Sequence, residues 1–286
     1  MLKRFVLAVV FFFMAVVLGF QVIFTVPDHP QIITQTGDEI SEDIQCIEFS
    51  DSQVLDYQGE LNVLIWNIYK QSKDNWQSAL DALSTDKQLL LLQEASMTEP
   101  FKQWLVDGNW MSNQVSAFKA LGSGAGVINI AQRLPQKACA YTSTEPWLRL
   151  PKSALYSQYR LSNGSTLAVV NIHAINFTVG TEEYHSQIAA LEALLTQHSG
   201  PILFAGDFNS WNEYRLEAMK QALQKANLKE VSFSPDHRTQ FITGQRLDHV
   251  FYRGLVLKNA KAPQSDASDH NPLLVSFTLD NTNHSE

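Results

Sequence analysis

With 286 residues, 45% of them hydrophobic, and six Trp and sixteen Phe, the chain has ample core for one large domain of roughly 220–250 residues, or two small ones. Its net charge of −8 and lack of any basic run weigh against gripping long nucleic acid through many phosphates. Two cysteines, Cys46 and Cys139, are too few for a disulfide scaffold or a zinc site and leave either one bridge or two thiols.

Residues 5–26 (FVLAVVFFFMAVVLGFQVIFTV) are apolar apart from Gln21 and Thr25. As helix they would run about 33 Å, enough for a bilayer core. Lys3 and Arg4 precede them and no basic residue follows before Lys70, so the amino terminus is expected in the cytoplasm and the rest outside it. Residues 1–26 therefore read as an uncleaved signal anchor, an inner-membrane transmembrane helix with the globular part in the periplasm. A cleaved signal peptide is the rival, and a soluble cytoplasmic protein the remaining alternative. Residues 27–60 carry nine acids and no Lys or Arg, and with Pro27 and Pro30 they read as a solvated acidic tether with room for some packing near Ile44–Phe49. That leaves a nearly neutral domain over 61–280 and a tail at 281–286.

Within the domain, Leu61–Trp66 is a strand delivering Asn67, and Asn75–Ser84 has helical spacing through Trp76, Leu80 and Leu83. Gln88–Leu92 is a second strand, ending at Gln93 and Glu94. Thr98 caps a short helix to Val106 with Pro100 in its first turn. Strands follow at Gln114–Phe118, Val127–Ala131 after a glycine turn over 122–126, and Ala138–Thr142. Asn163-Gly164 joins Ser153–Leu161 to Ser165–Ile172 as a hairpin, and the second strand runs into His173. Thr181–His198 is a helix with Tyr184, Ile188, Leu191 and Leu195 on one stripe. The stretch PILFAGDFN, 201–209, is a buried strand ended by Gly206, with Asp207 and Asn209 just past it. A helix over Glu213–Ala226 and strands at Lys229–Phe233, Leu247–Tyr252, Leu255–Ala260 and Pro272–Leu279 complete the chain. Strands and helices mixed in this way predict a layered α/β domain, with sheets packed together inside and helices outside.

Polar residues recur just beyond these apolar runs: Asn67, Glu94, His173 with Asn176, Asp207 with Asn209, Asp248, and Ser268-Asp269-His270. Each has a plain structural reading: Asn67 as a turn cap, Glu94 as a solvated acid, His173 as a satisfied core histidine, Asp248 paired on the surface with Arg246 or Arg253. Separately those readings suffice; together they would gather several acids at one sheet edge, costly without a cation. Mg²⁺ takes oxygen ligands and keeps waters and substrate phosphate. Glu94 suits it, with Asn67 and Asp269 alongside. Asp248 with His270 forms a carboxylate-held base, Asp207 and Asn209 hold the attacking water and a phosphoryl oxygen, and His173 donates to the developing charge. The chemistry is metal-assisted in-line attack on phosphorus.

The series WN (67), QE (94), NIH (173), GDFN (206–209), RLDH (Asp248) and SDHNP (268–272) resembles the endonuclease/exonuclease/phosphatase superfamily, which includes deoxyribonuclease I and bacterial sphingomyelinases. The phrases WNIYKQ, PKSAL and NIHAINF are most similar to a bacterial branch of it. The resemblance spans residues 61 to about 279. It implies a four-layer α/β sandwich, Mg²⁺ or Mn²⁺ dependence, metal ligands at Asn67, Glu94 and Asp269, and catalytic roles for His173, Asp207, Asn209, Asp248 and His270. Apurinic endonucleases typically have Tyr where His173 stands, which disfavours abasic-site repair. Tyr69 replaces an acid seen in some members, which puts a second metal site there in doubt. The implied substrate is a phosphoester, whether nucleic acid, phospholipid head group or small molecule, with the membrane as the other partner and no obligate protein partner. A binding protein that keeps the fold without catalysis is the alternative of another class.

Overall fold

A computed structural model describes residues 2–120, 123–147, 149–178 and 180–280. Gly122 of the expected glycine turn, Leu148 and the tail at 281–286 lie outside the described residues. The chain begins with α1 (Leu2–Ile23), β1 (Phe24–Thr25), β2 (Gln31–Thr36), β3 (Glu39–Ile44) and β4 (Cys46–Glu48). There follow β5 (Glu60–Asn67), α2 (Trp76–Ser84), β6 (Leu89–Ser96), α3 (Glu99–Asp107), β7 (Met111–Ala120), β8 (Ser123–Ala131) and β9 (Lys137–Thr144). Next come β10 (Pro151–Arg160), β11 (Thr166–His173), α4 (Glu182–Thr196), β12 (Ile202–Asp207) and α5 (Glu213–Lys225). The last strands are β13 (Lys229–Glu230), β14 (Asp248–Arg253), β15 (Leu255–Lys261) and β16 (Leu273–Leu279).

Among the described residues the strands make two mixed sheets. One has the order β15-β16-β5-β6-β8-β7-β2-β3, with β1 also on β7; the other has the order β13-β14-β12-β11-β10-β9-β4. Alternation along the strands builds the layers. From β5, Leu61, Val63 and Ile65 face β11 and β12 residues such as Val169 and Leu203 in the core between the sheets. Leu64 and Trp66 of the same strand face Leu80 of α2 and Phe101 of α3 on the outer side. From β12, Leu203 and Ala205 enter the shared core, while Ile202 and Phe204 pack with Tyr184, Ile188 and Leu191 of α4 and Met219 of α5. Two face-to-face sheets flanked by helices are the layered α/β arrangement expected.

The acidic tether is corrected. Residues 31–48 are strands: β2 pairs with β7 in one sheet, β4 pairs with β9 in the other, and Cys46 and Cys139, directly opposite across β4 and β9, form a disulfide. The alternation of Gln31–Thr36 buries Ile32 and Thr34, a strand signal outweighed in the sequence by the surrounding acids. Several of those acids, Glu39, Glu42 and Asp43, lie on the edge strand β3, where charge discourages pairing with another chain.

The apolar leader is helical over Leu2–Ile23. The transmembrane expectation gains no support: several side chains of this helix lie outside the described residues, and among the described residues no helix is long and apolar enough to cross a membrane. Trp110 is buried and Trp147 exposed.

Candidate active site

The polar residues gather because parallel pairing aligns strand ends. β5 and β6 run parallel with Asn67 opposite Gln93, and β11 and β12 run parallel with His173 opposite Asp207. Antiparallel β14 then sets Asp248 opposite Asp207. The carboxyl ends of both parallel pairs thus meet at one edge, the usual binding edge of open α/β sheets.

Asp207 lies at the centre. Its Oδ2 accepts from Asn67 Nδ2 at 3.0 Å, and its Oδ1 accepts from the Asn209 backbone N–H at 2.9 Å. His173 Nε2 stands 3.5 Å and His270 Nε2 3.9 Å from Oδ2. Burial pushes the Asp207 carboxyl up to about 6, opposed by the positive charge of His270 and reinforced by Asp248. Gly206 makes the approach feasible: at φ +140° a Cβ there would sit 2.1 Å from the Ile172 carbonyl oxygen.

His270 is the second anchor. Its Nδ1 lies 2.8 Å from Asp248 Oδ2, and both groups are buried. Burial alone would lower the imidazolium pKa; Asp248, Asp207 and Asp269 outweigh it and push it up to about 10. The loop is pinned from beneath, where Trp66 Nε1 donates to the His270 carbonyl at 2.8 Å. Ser268 Oγ donates to the Asn67 carbonyl at 2.7 Å and lies 3.3 Å from Asp269 Oδ1. Asp269 itself is exposed, on the rim.

Glu94 is aimed by an irregularity. The β6–β8 register shifts between Leu92 and Ala95, and Glu94 takes φ +52°, as at a bulge that re-aims one side chain. Its carboxylate pairs with the Lys70 ammonium and lies 3.8 Å from His173 Nε2. Lys70 rides on three successive residues with positive φ, Tyr69, Lys70 and Gln71, and strain of this kind collects at functional sites. Two hydrogen bonds of 3.0 Å between the Gln71 amide and the Ser96 backbone hold the turn.

Two expected roles change. His173 Nε2 faces the Lys152 ammonium at 2.9 Å, so this nitrogen accepts. Burial, then the charges of Lys152, His270 and Lys70, hold His173 well below the usual histidine range. It is a neutral acceptor, and the donor beside it is Lys152. Asn209, expected to hold a phosphoryl oxygen, donates its Nδ2 to the Ala174 carbonyl at 2.9 Å, tying the two loops together. Asn176 contributes backbone: its N–H donates to Glu145 Oε1 and its carbonyl accepts from Arg215.

Sequence reasoning missed the supports. Arg215, fully buried, donates to the carbonyls of Ile175, Asn176 and Asn209 and to Thr178 Oγ1, locking the loops after β11 and β12. Between the sheets, Gln93 Nε2 donates to Asn171 Oδ1 at 2.7 Å, and Asn171 Nδ2 reaches the Leu92 and Ile128 carbonyls. Ser210, His249 and Glu230 line up at 2.9 and 2.7 Å like a nucleophile triad. Ser210 is fully buried and donates to the Arg246 carbonyl, so the line is a brace beneath Asp248 and carries no nucleophile. Of these, only Arg215 left a sequence signal, an arginine two residues into the helix after GDFNS.

Ligand atoms of Asp207, Asp248 and His270 lie within 4.8 Å of one another. Oxygen donors dominate the site, and the raised Asp207 pKa marks a buried charge that a neighbouring cation relieves, so the residues present fit a hard divalent ion.

Two mixed sheets flanked by helices, carrying a buried Asp–Asp–His group where both sets of strand ends meet, define a layered α/β sandwich with one polar site at its strand ends. The chain belongs to the Endonuclease/Exonuclease/phosphatase family, whose model matches residues 64–270. It is 79% identical over 279 residues to a UPF0294 protein of Vibrio parahaemolyticus, covering 98% of this chain and 99% of that one. Among solved structures, the endonuclease/exonuclease/phosphatase of Beutenbergia cavernae superposes with a TM-score of 0.61 at 14% identity, over 78% of this chain and 72% of that one. The human Nocturnin catalytic domain with bound sulfate anion gives 0.60 at 17%, over 80% and 98%.

Proposed function

We propose that the chain is a divalent-metal-dependent phosphoester hydrolase, acting on phosphodiesters by in-line attack of water. The observation that carries this reading is the Asp248–His270–Asp207 line, a base held by one carboxylate and facing another across 3.9 Å.

Asn67, Glu94 and Asp269 would hold Mg²⁺ or Mn²⁺, with Asp207 alongside. A bound ion would supply Lewis acidity toward a phosphoryl oxygen, and its positive charge would oppose protonation of His270 so that the imidazole can serve as base. Asp207 Oδ2 and His270 Nε2 orient the water between them. Its oxygen forms the new P–O bond, its proton passes to His270 Nε2, and Asp248 stabilises the imidazolium through Nδ1. The opposite P–O bond breaks, and the leaving oxygen takes a proton from solvent. Asn67 and Asn209 keep Asp207 in position.

The same proposal has the domain working outside the cytoplasm. The Cys46–Cys139 disulfide supports it, because such bonds persist in oxidising compartments. So does the leader, whose exposed Phe5, Phe11, Phe12 and Val22 form an apolar surface suited to a membrane, behind Lys3 and Arg4. A carboxyl-terminal reporter active only in the periplasm should work, and one active only in the cytoplasm would reverse the topology.

The catalytic reading is tested with bis(p-nitrophenyl) phosphate. Hydrolysis should require Mg²⁺ or Mn²⁺, stop in EDTA, and fall at least about 100-fold in His270→Ala. Turnover that persists in chelator ends the metal mechanism. A well-folded chain inert toward every phosphoester offered would favour a binding protein.

A further inference from the structure

The catalytic reading leaves two lysines without a role. Lys70 and Lys152 come from different sheets, on the turn after β5 and at the start of β10, yet their ammonium groups flank the same pair, Glu94 and His173. A small cavity of about 50 Å³ opens between them, its wall formed by Phe118 of β7 and Gly126 of β8. The lysines stand to one side of Asp207: Lys152 reaches His173 Nε2 at 2.9 Å, and that nitrogen is 3.5 Å from Asp207 Oδ2. This cationic pair lies in a domain with little net charge. Presenting Lys70 takes three consecutive positive-φ residues, a cost that a surface lysine does not need.

We propose that Lys70 and Lys152 form an anion subsite beside the catalytic cluster, built for a second phosphate that a small substrate carries next to the phosphoester being cut. The proposal rests on the hydrolase reading above and narrows its substrate class. Two ammonium groups in a half-buried cavity suit a doubly charged phosphomonoester better than a neutral head group. Close apolar walls, Phe118 and Ala125 among them, limit the substrate to a short molecule. Lys152 is fixed by His173 and is the firmer contact; Lys70, half exposed, exchanges between Glu94 and the incoming phosphate.

The test uses the full chain with Mg²⁺ and compares the 5′-phosphorylated thymidine dinucleotide pTpT with TpT. The wild type should show kcat/KM at least about tenfold higher for pTpT, the discrimination expected of one charge-assisted hydrogen bond. Lys152→Gln and Lys70→Gln should each bring that ratio toward one, and Lys152→Arg should restore most of it. An equal fractional loss on both dinucleotides would overturn the proposal, because the lysines would then serve the scissile phosphate. A ten-residue oligothymidylate cut much faster than pTpT would overturn the restriction to small substrates. Should the wild type cut neither dinucleotide, binding of thymidine 3′,5′-bisphosphate against thymidine 5′-monophosphate by calorimetry decides separately. A tenfold preference lost in Lys152→Gln supports the subsite even if the hydrolase reading has failed, and equal binding of the two nucleotides overturns it.

Discussion

Replacing Asp248 by Asn removes one charge from a buried pair and leaves its shape. In the wild type His270 has a folded pKa raised from 6.5 to about 10. A raised pKa contributes stability that is complete below 6.5 and is lost as pH rises from there to about 10. Asp248, at 2.8 Å from Nδ1, supplies the largest charge holding the proton. An opposite charge at that distance is worth about 1–3 pKa units, so the substitution should cost about 1–4 kcal/mol at pH 7. The assays are urea unfolding at intervals from pH 5 to 10 in EDTA, and an NMR titration of the His270 ring assigned with His270→Gln. The variant's alkaline decline in stability should be smaller than the wild type's and end at lower pH, with its His270 titrating about 1–3 units lower. Superimposable pH profiles for the two proteins would refute the reasoning, because Asp248 would then not be what holds the proton on His270.

Other consequences follow from the supports. Cys46→Ser with Cys139→Ser removes a bridge closing a 93-residue separation and should cost about 2–4 kcal/mol in urea unfolding against the oxidised wild type, and nothing against a wild type kept reduced throughout. Arg215→Met should cost at least about 3 kcal/mol and lower kcat more than stability alone explains, because the carbonyls of Ile175, Asn176 and Asn209 lose their donor; Lys at this position should not rescue. Burial alone would raise the Glu230 carboxyl, but the hydrogen bond and charge of His249, with Lys220 and Arg238, hold it down at about 2. Its stabilisation is present above 4.5 and lost as pH falls toward 2, so Glu230→Gln should be about 2–3 kcal/mol less stable at pH 7, with that gap closing in acid.

What could be read from the chain was whatever sits in a local pattern. Short apolar runs ending in Asn67, Glu94, His173 and Asp207 marked strand ends, and parallel pairing brought those ends together. The hairpin at Asn163-Gly164 and the stripe on α4 were legible for the same reason. Interactions that depend on a distant partner were not. Nothing near Lys152 says that it meets His173, and PKSAL read only as a family phrase. The bulge that turns Glu94 toward the site leaves no mark in LLLLQEAS, and the positive φ of three residues in YKQ defies their types. Residues 31–48 were misread because their acids signal solvent, which a charged edge strand also faces. The disulfide was undecidable until β4 and β9 were seen to pair.

The central claim is that residues from both sheets assemble one divalent-cation site, and Mn²⁺ binding measures it without any assumption about substrate. Titration of the full chain, followed by the electron paramagnetic resonance of free Mn²⁺, should give saturable binding that Glu94→Gln and Asp207→Asn each weaken at least about tenfold, in the range for lost ligands and their supports. Binding of equal strength in the wild type and both variants, or none in the wild type, would contradict the account.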